Sequence, residues 1–146
     1  MQLVIGCDHA GLELKQQLLS HLSDAGHSVE DLGTYDGASI DYPDYAERVA
    51  RAVADGDAQL GLLVCGSGQG MCMAANKIHG VRAAVCSDTF SAHAVREHND
   101  ANVLCLGQRV VGVGLAQEIV DTFLKAEFEG GRHSRRVGKI MALEGR

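Results

Sequence analysis

Hydrophobic residues in this chain come in short unbroken runs, and after each run they thin to about one position in three or four. Residues 3–7 form the first run, and Leu12, Leu14, Leu18, Leu19 and Leu22 then mark one face of a helix that closes near Gly26. The alternation repeats. A short strand over 27–32 precedes a polar loop, 33–43, and a helix over 42–54 whose inner face carries Tyr45, Ala46, Val49 and Val53. The run 60–64 leads through a glycine-rich turn into helix-forming residues up to Lys77. Two further pairs follow, strand 81–86 with helix 89–97 and strand 101–106 with helix 110–126. Strands that are apolar nearly throughout, each followed by an amphipathic helix, need cover on both faces. The pattern therefore predicts an α/β fold: a three-layer α/β/α, Rossmann-like domain around a five-stranded parallel sheet whose strand order starts 2-1-3.

With 146 residues, 46% of them hydrophobic, and no linker or repeat, the chain fits one domain over residues 1–146. No apolar run is long enough to span a bilayer, and residues 1–5 enter a strand without a charged leader, so a cytoplasmic protein is expected. A net charge of −6 argues against nucleic acid or an anionic membrane as partner. Any anionic ligand must then be held by a local cluster of cations. The five cysteines (7, 65, 72, 86 and 105) are an odd set without CxxC spacing, which reads as reduced thiols and not as a disulfide framework or a zinc site.

The chemistry concentrates in residues 60–77. The strand ends in Cys65, passes Gly66, Gly68 and Gly70 with Ser67 and Gln69 between them, and enters a helix. Glycines there permit positive φ and close approach of a ligand, so successive amide N–H groups can converge on an anion. A thiol beside such a cluster becomes available as a base or nucleophile. The same pattern also serves tight strand–helix packing, with the cysteine as a small core residue. It is not a P-loop, because the Lys-Ser/Thr ending is missing, and Met71 stands where a dinucleotide fingerprint has its third glycine. Asp88, about 20 residues on, keeps a nucleotide site in play as a ribose-binding acid.

In a parallel sheet, ligands bind outside the C-terminal ends of the strands. The turns at that edge bring together Asp8 and His9, Cys65 through Gly70, Ser87 and Asp88, and Gly107, Gln108 and Arg109. Each has an ordinary alternative as helix cap, turn residue or surface charge; their convergence favours a site. His98 and Asn99 follow a helix and fall at the opposite edge. Either they close that helix, or they serve the site of a second subunit across an isologous interface. Residues 130–139 concentrate cations, and Arg132 and Arg136, four apart, share one helical face and could fork onto a phosphate. A solvated basic tail is the alternative.

Taken together and in order, these motifs resemble the ribose-5-phosphate isomerase B family, part of a wider group that includes allose- and galactose-6-phosphate isomerases. The matching residues are 6–11 (GCDHAG), 41–43 (DYP), 65–70 (CGSGQG), 74–77 (AANK), 97–100 (EHND) with Asn102, Val103 and Leu104, 107–112 (GQRVVG) and 129–133 (EGGRH). The resemblance implies an aldose–ketose isomerase, free of metal and other cofactors, that interconverts ribose 5-phosphate and ribulose 5-phosphate through a cis-enediolate. Its partner is a small sugar phosphate, and it is a homodimer or homotetramer with shared active sites. By the same resemblance Cys65 is the base that moves the proton between C2 and C1, and His98 is the acid that opens the furanose ring, with Asp8 assisting. The amides of Gly66, Ser67, Gly68, Gln69 and Gly70, with the Ser67 hydroxyl, stabilise the enediolate oxygens, and Asn99 holds a sugar hydroxyl. His9, Arg109, Arg132 and Arg136 hold the phosphate. Some members use a glutamate at the position of Met71; Cys65 places this chain in the cysteine type. A hexose-6-phosphate isomerase and a non-catalytic phosphometabolite-binding module are the competing readings.

Overall fold

The computed structural model describes residues 1–145. Its strands are β1 (Gln2–Cys7), β2 (Ser28–Asp31), β3 (Leu60–Cys65), β4 (Ala83–Val85) and β5 (Val103–Gly107). Its helices are α1 (Leu12–Asp24), α2 (Tyr42–Ala54), α3 (Gln69–Ala75), α4 (Thr89–Asn99), α5 (Val113–Lys125) and α6 (Arg132–Ala142), followed by one 3-10 turn (Leu143–Gly145). Every strand pairing is parallel, in the order β2-β1-β3-β5-β4. The strands with unbroken apolar sequence take the middle: β3 and β5 are buried along their whole length, whereas β4, at an edge, is half-buried. Leu14, Leu18 and Leu22 of α1 pack with Ile119, Val120 and Phe123 of α5 on one face. Val49 and Val53 of α2 and Met71 and Ala75 of α3 cover the other. The predicted three layers, parallel sheet and 2-1-3 start agree with this, and the last two strands enter in reverse order.

The chain leaves β1 for β2 on one side and returns to β3 on the other. The C-terminal ends of β1 and β3 therefore flank the point where the strand order reverses, the place where open parallel sheets bind ligands.

Several boundaries differ from those expected. Strand 81–86 shrinks to Ala83–Val85, because Val81 N–H closes a turn on the Ile78 carbonyl (3.2 Å) and Arg82 turns to the Asp100 carbonyl (2.8 Å) and carboxylate (3.2 Å). The helix expected from residue 110 starts at Val113. Residues 108–111 are instead a turn, with Gln108 N–H donating to the Cys65 carbonyl (2.9 Å) and Arg109 N–H to that of Gly66 (3.1 Å). That turn locks Arg109 against the glycine loop. At the C-terminal segment the helical alternative holds, as α6, whose His133 and Val137 are buried.

One buried charge has no counterpart in the sequence pattern. Lys15 of α1, 1% exposed, donates from Nζ to Asp31 Oδ1 (2.6 Å) and to the Thr34 carbonyl (2.5 Å). It ties β2 and the loop after it to α1, while backbone bonds tie the same loop to the end of β1, where Cys7 N–H donates to the Gly33 carbonyl (2.6 Å) and Thr34 N–H to that of Cys7 (2.8 Å). Removing the ammonium leaves the part-buried Asp31 carboxylate with the Gly33 N–H (2.9 Å) but no counter-charge, and takes the Nζ donor from the buried Thr34 carbonyl, so Lys15→Met is expected to lower stability by about 2 kcal/mol. The midpoint of a urea unfolding curve checks it.

Candidate active site

Asp8 follows β1 directly and is 7% exposed. Its Oδ1 accepts the N–H groups of Ala10 (2.9 Å) and Gly11 (3.1 Å), so the turn and the candidate site use the same carboxylate, one oxygen of which is fixed by the backbone. Gly11 has no alternative there, since a Cβ would overlap the Val64 carbonyl. His9 is exposed, and its Nδ1 accepts from Ile40 N–H at 3.3 Å. The neutral tautomer that this contact requires carries its proton on Nε2, as a donor.

Cys65 ends β3 and is 5% exposed; its Sγ accepts Gly68 N–H at 3.0 Å. Ser67 is exposed, and its Oγ accepts Gln69 N–H at 3.3 Å. The expected anion cradle is therefore already wrapped, in part, around a sulfur and a hydroxyl. Of the three glycines expected to supply positive φ, only Gly68 has it, at 81°. Gly70 is needed for space instead, because a Cβ would lie 2.6 Å from the Tyr42 ring. Gly66 is neither strained nor crowded: its bare backbone lies beneath the Arg109 guanidinium, whose Nη1 would be 3.6 Å from a Cβ there.

Among the described residues, Arg109, Arg132 and Arg136 pair with no carboxylate, which leaves three guanidinium forks for an anion. Asp88 is committed elsewhere. It caps α4, accepting the N–H (2.7 Å) and hydroxyl (2.9 Å) of Ser91, and these bonds hold its carboxyl below the usual range. The nucleotide alternative thus loses its ribose-binding acid.

All five cysteines are free. Burial pushes Cys7 and Cys86 up to about 11. Cys72 on α3 is lowered to about 7 by its hydrogen bond with Cys105, helped by the Val85 backbone and the Asn76 amide. Nothing in the spacing of the cysteines singled out Cys72.

The other candidates lie elsewhere on the molecule. α4 starts beside the C-terminal end of β4, and β5 opens with Val103 opposite Gly61, near the start of β3. His98 and Asn99 therefore sit at the N-terminal edge of the sheet, about 15 Å of helix away from the α4 start. Three devices fix that end. Asp100 takes the left-handed conformation (φ 49°) and bridges Arg82 (3.2 Å) and Arg96 (3.0 Å). Glu129 N–H donates to the Glu97 carbonyl (3.0 Å), bringing the start of α6 onto α4. The ring of His98 stacks on that of His133 at 4.5 Å and 17°. Asn99 also borders a cavity of about 680 Å³ with Lys77, Arg82 and Ile140, which Asp8, His9, Cys65 and Arg109 do not line. Within one chain the structure thus gathers the candidates into two groups: Asp8, His9, residues 65–70 and Arg109 on one edge, and His98, Asn99, Arg132 and Arg136 on the α4–α6 surface. His133 and Glu129 fall in the matching segment 129–133 but carried no expected role; their i,i+4 spacing is a further signal.

Residues 3–140 match the family model described as Ribose/Galactose Isomerase. The chain is 50% identical, over 145 residues, to ribose-5-phosphate isomerase B of Escherichia coli, covering 99% of this chain and 97% of that one. It superposes on a ribose-5-phosphate isomerase B from Clostridium thermocellum with a TM-score of 0.98 and 52% identity, over 99% and 98% of the two chains. Against a ribose-5-phosphate isomerase B from Mycoplasma genitalium, solved with bound ribulose-5-phosphate, the TM-score is 0.94 and the identity 48%, over 99% and 97%. No helix among the described residues is long and apolar enough to cross a membrane.

Proposed function

Since this chain belongs to the ribose/galactose isomerase family and is an aldose–ketose isomerase, we propose that it interconverts D-ribose 5-phosphate and D-ribulose 5-phosphate, a step of the pentose phosphate pathway, as a single-domain cytoplasmic enzyme. The observation that carries this reading is the likeness, over 99% of the chain, to a relative whose structure holds ribulose-5-phosphate.

Isomerisation moves a proton between two carbons while an oxyanion develops on each side of the bond. It needs a base, donors placed where the charge appears, and a grip on the part of the sugar that does not react. Cys65 is the base, buried at the end of β3 with the Gly68 amide on its sulfur. The 66–70 loop and the Ser67 hydroxyl face the enediolate oxygens, with the Gly68 and Gln69 amides already engaged by Cys65 Sγ and Ser67 Oγ. Asp8 assists at the sugar hydroxyls, and Arg109 with the Nε2 proton of His9 meets the phosphate. His98 donates the proton that opens the furanose, Asn99 holds a hydroxyl, and Arg132 and Arg136 complete the phosphate cluster. These two groups occupy separate surfaces of one chain, so the site is completed in a homodimer, or a tetramer of such dimers, when the α4–α6 surface of one protomer meets the β1–β3 edge of its partner.

The phosphate is remote from the reacting carbons and contributes binding in ground and transition states alike. Arg136→Ala should therefore raise KM about tenfold or more with kcat little changed. Steady-state kinetics with ribose 5-phosphate test the split, and a fall in kcat at constant KM would assign Arg136 another role.

A further inference from the structure

His133 carries a polar atom that the fold leaves without a partner. The residue is 5% exposed and its Nε2 makes no hydrogen bond; a Glu129 carboxylate oxygen lies 3.3 Å away, out of line for one. Its ring stacks on His98, whose own side chain is 42% exposed in the last turn of α4. A half-exposed histidine rotates freely about its outer torsion. A flat ring fixed in the α4–α6 contact removes that freedom. The Glu129 N–H bond to the Glu97 carbonyl clamps the loop that leads into His133, and Glu97 Oε2 lies 3.5 Å from His98 Nε2.

We infer that His133 is a positioning residue that sets the plane of the His98 imidazole for opening of the sugar ring, with the backbone bond from Glu129 to Glu97 holding its loop against α4 in turn. The inference rests on the proposed role of His98. In the step concerned, the bond between C1 and the ring oxygen breaks, the ring oxygen takes a proton from His98, and the C1 hydroxyl passes its proton to the Asp8 carboxylate as the aldehyde forms. A metal ion is the other use for such a group, since donor atoms of His98, Glu129 and His133 lie within 4.8 Å of one another. Two rings stacked nearly parallel aim their nitrogens alongside each other and not at a common point, which suits a proton donor and its support.

The experiment separates ring opening from proton transfer. Ribulose 5-phosphate has its O5 esterified and cannot close a furanose, so exchange of its C1 hydrogen in D2O, followed by NMR, needs the base without the ring-opening acid. His133→Leu is expected to lower kcat/KM for ribose 5-phosphate about 10²-fold while exchange stays within about twofold of the parent, and His133→Phe, which keeps a flat ring, to recover most of the loss. Should the leucine variant not fold, His133→Gln, which loses the flat ring but keeps a polar side chain, must show the same split. Equal losses in both reactions, no forward loss, or a phenylalanine variant as poor as leucine each overturn the inference. His98→Asn must show the split more strongly; if it shows none, the ring-opening role of His98 fails, and exchange that survives in Cys65→Ala removes the base assignment instead.

Discussion

Cys65→Ala is expected to lose isomerase turnover by at least about 10³-fold while the fold and the phosphate site survive. The variant removes one sulfur atom from a small side chain, and its cost in stability should stay near 1 kcal/mol. Arg109 is held by the Cys65 carbonyl, through Gln108 N–H, and by the Gly66 carbonyl, so it does not depend on the thiol. The nearby ionisable thiol, Cys72, points its own contacts at Ala83 and Asn76 and belongs to the α3–β4 contact, so it offers no substitute base. Calorimetric binding of ribose 5-phosphate to the inactive variant, beside its kcat, checks both halves. Turnover near that of the parent would remove Cys65 from the chemistry.

Mixing two inactive proteins should restore activity. If the β1–β3 edge of one protomer faces the α4–α6 surface of its partner, a dimer of Cys65→Ala and His98→Asn chains has one site with both lesions and one with neither. Random reassociation makes about half of the dimers mixed, so the mixture should recover about a quarter of parental activity. Mass spectrometry of the intact dimers counts the mixed species. No recovery in verified mixed dimers would mean that each site is built within one chain. The expected gain starts from almost nothing, which makes this the most sensitive test of how the halves meet.

The β–α alternation and the residues of the C-terminal edge could be read directly, because a strand buried on both faces must be apolar throughout and its helix must be apolar on one face. Asp8, His9, Cys65 and Arg109 then follow from topology. Other features depend on contacts that no local pattern encodes. β4 and β5 are both short and apolar, so their order is invisible until the sheet is built. Val110 and Val111 look helical but belong to the turn bound to the glycine loop. Lys15 on an otherwise apolar helix face reads as a snorkelling surface residue, and only the fold supplies Asp31 and the Thr34 carbonyl as its partners. The three loop glycines are the same letter for three reasons: backbone conformation at Gly68, space at Gly70, and open backbone at Gly66. The stack of His98 on His133 requires α6 to lie on α4, a contact set by one backbone hydrogen bond 32 residues apart in sequence, Glu129 to Glu97.

The most direct test of the central claim is conversion of ribose 5-phosphate by the purified protein with EDTA present, run beside allose 6-phosphate and galactose 6-phosphate. Rapid formation of ribulose 5-phosphate, unaffected by the chelator and faster than either hexose reaction, is the predicted result. Turnover of a hexose phosphate without the pentose, or of none of the three, would contradict it.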